Sequence, residues 1–156
     1  MTGYIASMRA KVGHDRILTV SAGVIVYKEG CILLQKRKDN GFWSDHGGSV
    51  EFGEQLEDTA RRELWEETGL TAHRLEFFKV YSGPDLMYTY PNGDKVCNVA
   101  TIWLCEDFSG TPVAQPEEVS ALRWFALDDL PDSLFPPIRK PLREVVNYLR
   151  HRNGFA

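Results

Sequence analysis

Residues 48–70, GSVEFGEQLEDTARRELWEETGL, decide how this chain is read. Between Glu51 and Glu67 they hold seven carboxylates (Glu51, Glu54, Glu57, Asp58, Glu63, Glu66, Glu67) against Arg61 and Arg62, a local charge of −5 in a chain whose total is −4. The remainder is close to neutral, so the acidity belongs to one place. Carboxylates crowded this tightly raise one another's pKa and repel unless a cation or a guanidinium sits among them. Glu63, Glu66 and Glu67 stand at i, i+3 and i+4, which on a helix puts them on one face, and the spacing predicts that they converge on one point. Three hard oxygen donors suit Mg²⁺ or Mn²⁺ better than Zn²⁺, and no His-Cys cluster competes with them. For the trio alone, a solvated acidic face paired with basic side chains is the alternative.

The glycines around the segment weigh against that alternative. Gly69 follows the last glutamate pair as a helix stop, and Gly47-Gly48 permits a backbone approach that a side chain would block. Leu56, Ala60 and Leu64 recur at i, i+4 and i+8 as an apolar stripe for packing on a sheet, while the glutamates occupy the neighbouring arc. Among these like charges, the Arg62 guanidinium is placed to orient Glu54 or Glu63.

The spacing Gly48, five residues, Glu54, seven residues, then Arg62-Glu63-Leu64-x-Glu66-Glu67-x-Gly69-Leu70 resembles the Nudix box of the Nudix hydrolases at every defined position. The resemblance implies an α/β fold, the Nudix-type α/β/α sandwich with a mixed β-sheet. It implies Mg²⁺- or Mn²⁺-dependent hydrolysis of the pyrophosphate bond in a nucleoside diphosphate linked to another moiety. ADP-ribose or other nucleotide sugars, nucleoside triphosphates and dinucleoside polyphosphates are the substrate classes. Glu63, Glu66 and Glu67 become metal ligands, the Gly47 carbonyl a further one, and Arg62 their supporting residue. Glu54 is either a ligand or the partner of Arg62. Glu117 or Glu118 is the kind of downstream carboxylate that family members recruit as ligand or general base, a role also open to Glu63 and Glu67. A box lacking a ligand glutamate would point to nucleotide sensing without hydrolysis; none is lacking. A homodimer is common among such proteins.

One departure stands out. The family commonly has a Leu-Pro pair before the double glycine, and this chain has Asp45-His46. His46 is thereby a candidate proton relay or phosphate contact, or an ordinary polar loop residue. Trp43 in the same loop, and Arg37 and Lys38 at the end of the preceding strand, are candidates for substrate and phosphate contacts. Tyr88 and Tyr90 precede an Asn92-Gly93 turn, where aromatic rings either stack on a nucleobase or pack in the core.

At 156 residues, 43% hydrophobic and 26% charged, the chain reads as one globular domain, with residues 1–16 as an N-terminal extension containing a short helix over 4–11. Neither an apolar span of membrane length nor a signal-peptide core occurs, and Cys31, Cys97 and Cys105 read as buried thiols of a cytoplasmic protein. The acidic balance and absence of a basic stripe argue against nucleic acid as a partner and for a nucleotide-type small molecule. Strands are predicted over 17–27, 31–35, 74–81 and 96–105, the last central, with a closing helix over 141–151.

Overall fold

The computed structural model describes residues 3–152 and Gly154. In chain order it contains α1 (Tyr4–Val12), β1 (Ile17–Lys28), β2 (Cys31–Arg37), β3 (Trp43–Ser44), β4 (His46–Ser49), α2 (Leu56–Thr68), β5 (Thr71–Tyr81), β6 (Met87–Thr89), β7 (Lys95–Ser109), β8 (Val119–Ala126) and α3 (Arg139–Arg152). Short 3₁₀ turns precede β6 and α3.

The sheet is mixed because β1 and β7 run parallel at its centre, paired from Ile17↔Val96 to Val26↔Cys105, while the other pairings are antiparallel. The other edge of β1 is shared. Its C-terminal end turns through Glu29 and Gly30, both at positive φ, into β2, and its middle pairs with β4. This sharing carries β4, the start of the acidic segment, to the heart of the sheet.

Alternation along β1 separates two cores. Ala22, Val24 and Val26 face α2 and pack with Ala60, Leu64 and Leu70. Ile25 and Tyr27 face the opposite way and join Ile102, Leu104, Leu142, Val145 and Leu149 under α3. Helices therefore cover both faces of the sheet, as an α/β/α sandwich requires. Ala60 and Leu64 are fully buried, but Leu56, the first residue of the predicted stripe, is 37% exposed because it lies in the opening turn of α2, before the helix reaches the sheet. Gly69 closes α2 in the left-handed conformation at φ 74, its N–H bonded to the Trp65 carbonyl.

One sequence expectation needs correction. Only Cys105 is buried; Cys31 and Cys97 are half-buried at strand ends, and all three thiols are free. The N-terminal helix has no buried residue, and polar contacts dock it: the Tyr4 N–H donates to Glu51 at 2.8 Å, and Arg9 donates to the carbonyls of Asp15 and Lys95. Among the described residues no helix is long and apolar enough to cross a membrane.

Leu64→Ala should lower the unfolding free energy by about 3 kcal/mol, because it opens a cavity between α2 and β1. Leu56→Ala should cost under about 1 kcal/mol. Urea titrations of the two variants give the comparison, and equal losses would contradict this packing.

Candidate active site

Strand β4 supplies the floor of the site. Gly47 pairs with Gly23 of β1, and a Cβ at Gly47 would lie 2.7 Å from the Gly23 Cα and closer still to the Ala22 carbonyl. A Cβ on Gly48 would fall on the carboxylate of Glu63. The double glycine is therefore a steric requirement: it brings the strand backbone into contact with the side chains of α2. Glu67, one helical turn beyond Glu63, accepts the Gly47 N–H at 3.2 Å.

These two glutamates lie inside the protein; the Glu63 side chain is 13% and that of Glu67 5% exposed. Burial raises the pKa of Glu67 well above the ordinary carboxylate value, and the charges of Glu63, Asp45 and Glu118 add to the rise. Burial also raises Glu63, against the opposing pull of Arg62. Glu66 is different. Its side chain is half exposed and is held by Arg62 at 3.2 Å. Glu63 and Glu67 face the glycine strand, Glu66 shares the Arg62 Nη1 donor with Glu63, and no group of three Asp, Glu, His or Cys side chains among the described residues is close enough to hold a metal as placed. The spacing set the angle around the helix correctly, but Arg62 decides where the end of each side chain goes.

Arg62 contacts each neighbouring acid. Nε and Nη2 donate to the two oxygens of Glu54 at 2.7 and 3.0 Å, Nη1 donates to Glu63 at 2.9 Å, and Nη2 also reaches the Ser49 carbonyl at 3.2 Å. This bidentate pair holds the Glu54 pKa down at about 2. Glu54 also accepts from Thr59 Oγ1 at 2.6 Å and from the Glu51 N–H at 3.2 Å, so its oxygens are engaged as an anchor for Arg62.

The loop after β7 reaches the same place. Gln115 N–H bonds the Glu67 carbonyl at 3.2 Å, and Glu118 is near enough for its charge to act on both Glu63 and Glu67. Glu118 is brought to the cluster, while Glu117 exerts no such influence. Lys38 serves this loop: its N–H bonds the Glu118 carbonyl at 3.0 Å, and its ammonium bonds that of Pro116.

His46 is fully buried, which overturns its reading as a phosphate contact or relay at the surface. Nε2 lies 3.0 Å from the Leu33 carbonyl and Nδ1 3.1 Å from the Gln35 side chain. Burial pulls its pKa down to about 4, so the ring is neutral near pH 7 and its 3.9 Å approach to Glu67 is no ion pair. A neutral ring carries one N–H, which Nε2 donates to the buried Leu33 carbonyl, so Nδ1 is left as an acceptor facing Gln35 Oε1 unless that amide is turned end for end. Sequence could not show this, because Leu33 and Gln35 belong to another strand. Asp45 beside it is half-buried in the wall of the cavity described below, accepts from Ser44 Oγ at 2.9 Å, and has its pKa pushed up to about 6 by desolvation.

Gly47, Gly48 and Ser49 also line a cavity of about 500 Å³ that opens on the α3 side of the sheet. Tyr88, Tyr90 and Arg37 are in its wall. Tyr88 and Tyr90 meet edge to face at 4.9 Å, and Tyr88 packs on Phe135 at 4.7 Å. Arg37 lies over Phe135 at 4.5 Å and donates both Nε and Nη2 to Asp39, so its charge is already partnered. Trp43 is directed into the core against Phe125, away from this wall, which corrects its reading as a substrate contact.

The donor set fits a hard divalent cation. Glu63 and Glu67, Glu118 at their side and Glu66 on Arg62 supply oxygen only, and the pull of Arg62 on Glu63 and of Arg37 on Glu67 offsets the crowded charge only in part.

The profile of the NUDIX domain matches residues 17–149. An ADP-ribose pyrophosphatase of Methanocaldococcus jannaschii is 33% identical over 138 residues, covering 86% of this chain and 75% of that protein. An RNA pyrophosphohydrolase of Cereibacter sphaeroides is 30% identical over 142 residues, covering 81% and 86%. Among solved structures, a MutT NUDIX hydrolase from Burkholderia pseudomallei superposes with a TM-score of 0.71 at 36% identity, over 83% of this chain and 98% of that one. With the box, the sheet and both flanking helices within the matched residues, the chain belongs to the NUDIX family and is a pyrophosphohydrolase, an enzyme acting on phosphoric anhydrides.

Proposed function

We propose that this enzyme cleaves the pyrophosphate bond of a nucleoside diphosphate linked to another moiety, with Mg²⁺ or Mn²⁺ as its metal. The observation that carries this reading is the shared backbone of Gly47, Gly48 and Ser49. The same three residues line the cavity and touch Glu67, Glu63 and Arg62. A substrate held in the cavity thus lays its phosphates across the glycines beside the carboxylates. ADP-ribose is the first substrate to try, because the Methanocaldococcus relative bears that activity in its name.

Glu63, Glu66 and Glu67 would hold the cation, with the Gly47 carbonyl as a further oxygen donor. When bound, such an ion offsets the charge of the phosphate oxygens and lowers the pKa of a water. The chain's own residues do the rest. Arg62 keeps Glu63 facing the glycines and is itself fixed by Glu54. With both Glu54 oxygens engaged, the proton acceptor is to be found among Glu63, Glu67 and Glu118. The peptide N–H of Gly47 steadies Glu67 from below.

The purified protein should hydrolyse at least one member of a panel of ADP-ribose, nucleotide sugars, nucleoside triphosphates and dinucleoside polyphosphates. Chelation should stop turnover, and added Mg²⁺ or Mn²⁺ should restore it. Glu67→Gln should reduce kcat by about 10³-fold or more while the melting temperature falls little; full activity in this variant would sink the assignment.

The glycines give a second test. Gly48→Ala meets only a carboxylate, which can swing away, so it should leave stability nearly unchanged and cut kcat/KM by roughly 10²-fold, the order expected when a reacting geometry shifts by about 1 Å. Gly47→Ala meets backbone and should destabilise the fold. Paired assays of melting and turnover distinguish the two effects, and a fully active Gly48→Ala enzyme would refute the placement of Glu63.

A further inference from the structure

One polar group in the cavity has no part in the chemistry above. Asn98 interrupts the apolar run of β7 and sits in the cavity wall, at the end away from the glycines. Its neighbours hold it. Thr19 Oγ1 donates to Asn98 Oδ1 at 2.9 Å, and Asn98 Nδ2 donates to Ser21 Oγ at 2.8 Å. An amide has two donor hydrogens and two acceptor lone pairs, so these bonds leave one N–H and one lone pair unspent among the described residues. The hydroxyls on either side can each donate or accept, and the amide plane is therefore fixed while its polarity is free to reverse.

The surroundings define what such a group can recognise. Ile5, Val96 and Ala100 make this part of the wall apolar, and Tyr88 and Tyr90 stand in the same cavity. The charges at this end are paired: Asp94 bonds His14 at 2.7 Å and lies 3.6 Å from Arg9, whose terminal nitrogens are bonded to backbone carbonyls while its Nε has no hydrogen-bond partner among the described residues. A neutral donor-acceptor pair in an apolar, aromatic-walled cavity does not suit a phosphate, and it is too sparse for a sugar with several hydroxyls. It suits the edge of a planar heterocycle, where adjacent donor and acceptor atoms match an amide two for two.

The register supplies the scale. Asn98 pairs with Thr19 and Gly47 with Gly23, four residues further along β1, an offset of roughly 13 Å along the strand at its usual rise, with β7 and β4 on opposite edges of β1. That distance is comparable with a nucleoside 5′-phosphate measured from base edge to phosphates.

We propose that Asn98, oriented by Thr19 and Ser21, is the base-reading residue of this enzyme, binding the hydrogen-bonding edge of the substrate's nucleobase. Helix α1, which lies outside the residues matched to the family, closes this subsite through Ile5 and Arg9. The proposal rests on the reading of the substrate as a nucleotide and is tested by binding, without turnover.

Dissociation constants for AMP, GMP, CMP, UMP and ribose 5-phosphate would be measured by calorimetry on the wild type, Asn98→Ala and Asn98→Asp. At least one mononucleotide should bind the wild type about tenfold or more tightly than ribose 5-phosphate. Asn98→Ala should shrink that advantage to within about threefold while leaving the affinity for ribose 5-phosphate in place. Asn98→Asp, similar in shape but without the N–H donors, should change the order of preference among the bases, with a melting curve showing that the fold is kept. A base advantage that survives both substitutions, or that is absent from the wild type, would overturn the assignment. Because hydrolysis of the substrate panel is read separately, an active enzyme indifferent to Asn98 would refute this inference alone.

Discussion

The structure depends on a close approach between a strand and a helix. α2 lies against β4 at Gly48, where a Cβ would fall on the Glu63 carboxylate, and β4 in turn lies against β1, where a Cβ on Gly47 would meet the Ala22 carbonyl and the Gly23 Cα and one on Gly23 the carboxylate of Asp45. Three glycines thus occupy one small volume, each for a steric reason. A methyl at Gly48 would displace the Glu63 carboxylate from the strand, and one at Gly47 would push β4 away from β1 together with the N–H that Glu67 accepts. The shape of the site is set by absent side chains, and its charge by those that remain.

That charge has to be held against its own repulsion. Glu63 and Glu67 are buried like charges, an arrangement that disfavours the ionised pair. Two things support it. Ala60 and Leu64 bind the same helix to Ala22, Val24 and Val26, so that α2 stays in place for reasons independent of its acids. Arg62 answers part of the charge by spanning Glu54, Glu63 and Glu66 at once. Glu67, the deeper of the two, takes a small opposing pull from Arg37, and its pKa stays well above the ordinary carboxylate value. The charge left uncompensated at that point is the physical basis for expecting a cation there.

Much of this was legible in the sequence, for a particular reason. Local spacing determines the angle of each side chain around a helix, so the buried face of Ala60 and Leu64, the stop at Gly69 and the acidic arc could be read directly. The parallel core showed itself less directly, as the long apolar run of β7. What could not be read depended on contacts between distant segments. Glu63 and Glu66 share one nitrogen of Arg62, and Glu66 is left half exposed. His46 is buried because Gln35 and Leu33 come from the adjoining strand to receive it. Trp43 enters the core because Phe125, some eighty positions later, lies across β2 from it. The polar contacts that dock α1 likewise join residues far apart in the chain, Tyr4 to Glu51 and Arg9 to Lys95.

The sandwich also divides the labour of the site. The side chains of α2 act from one face of the sheet, while the cavity opens on the other, and Ala22 of β1 and the glycines of β4 stand between them. A change in the cavity wall therefore alters what is held without moving the carboxylates, because two different cores support the two halves. Asp45-His46 bears on the same division. His46 sits buried and neutral at the junction, bonded to β2, where it stiffens the strand that both halves use, while Asp45, half-buried against Gly23, stands in the cavity wall. His46 therefore acts through the position of β4, and Asp45 faces the cavity together with residues of β1, β6 and β7.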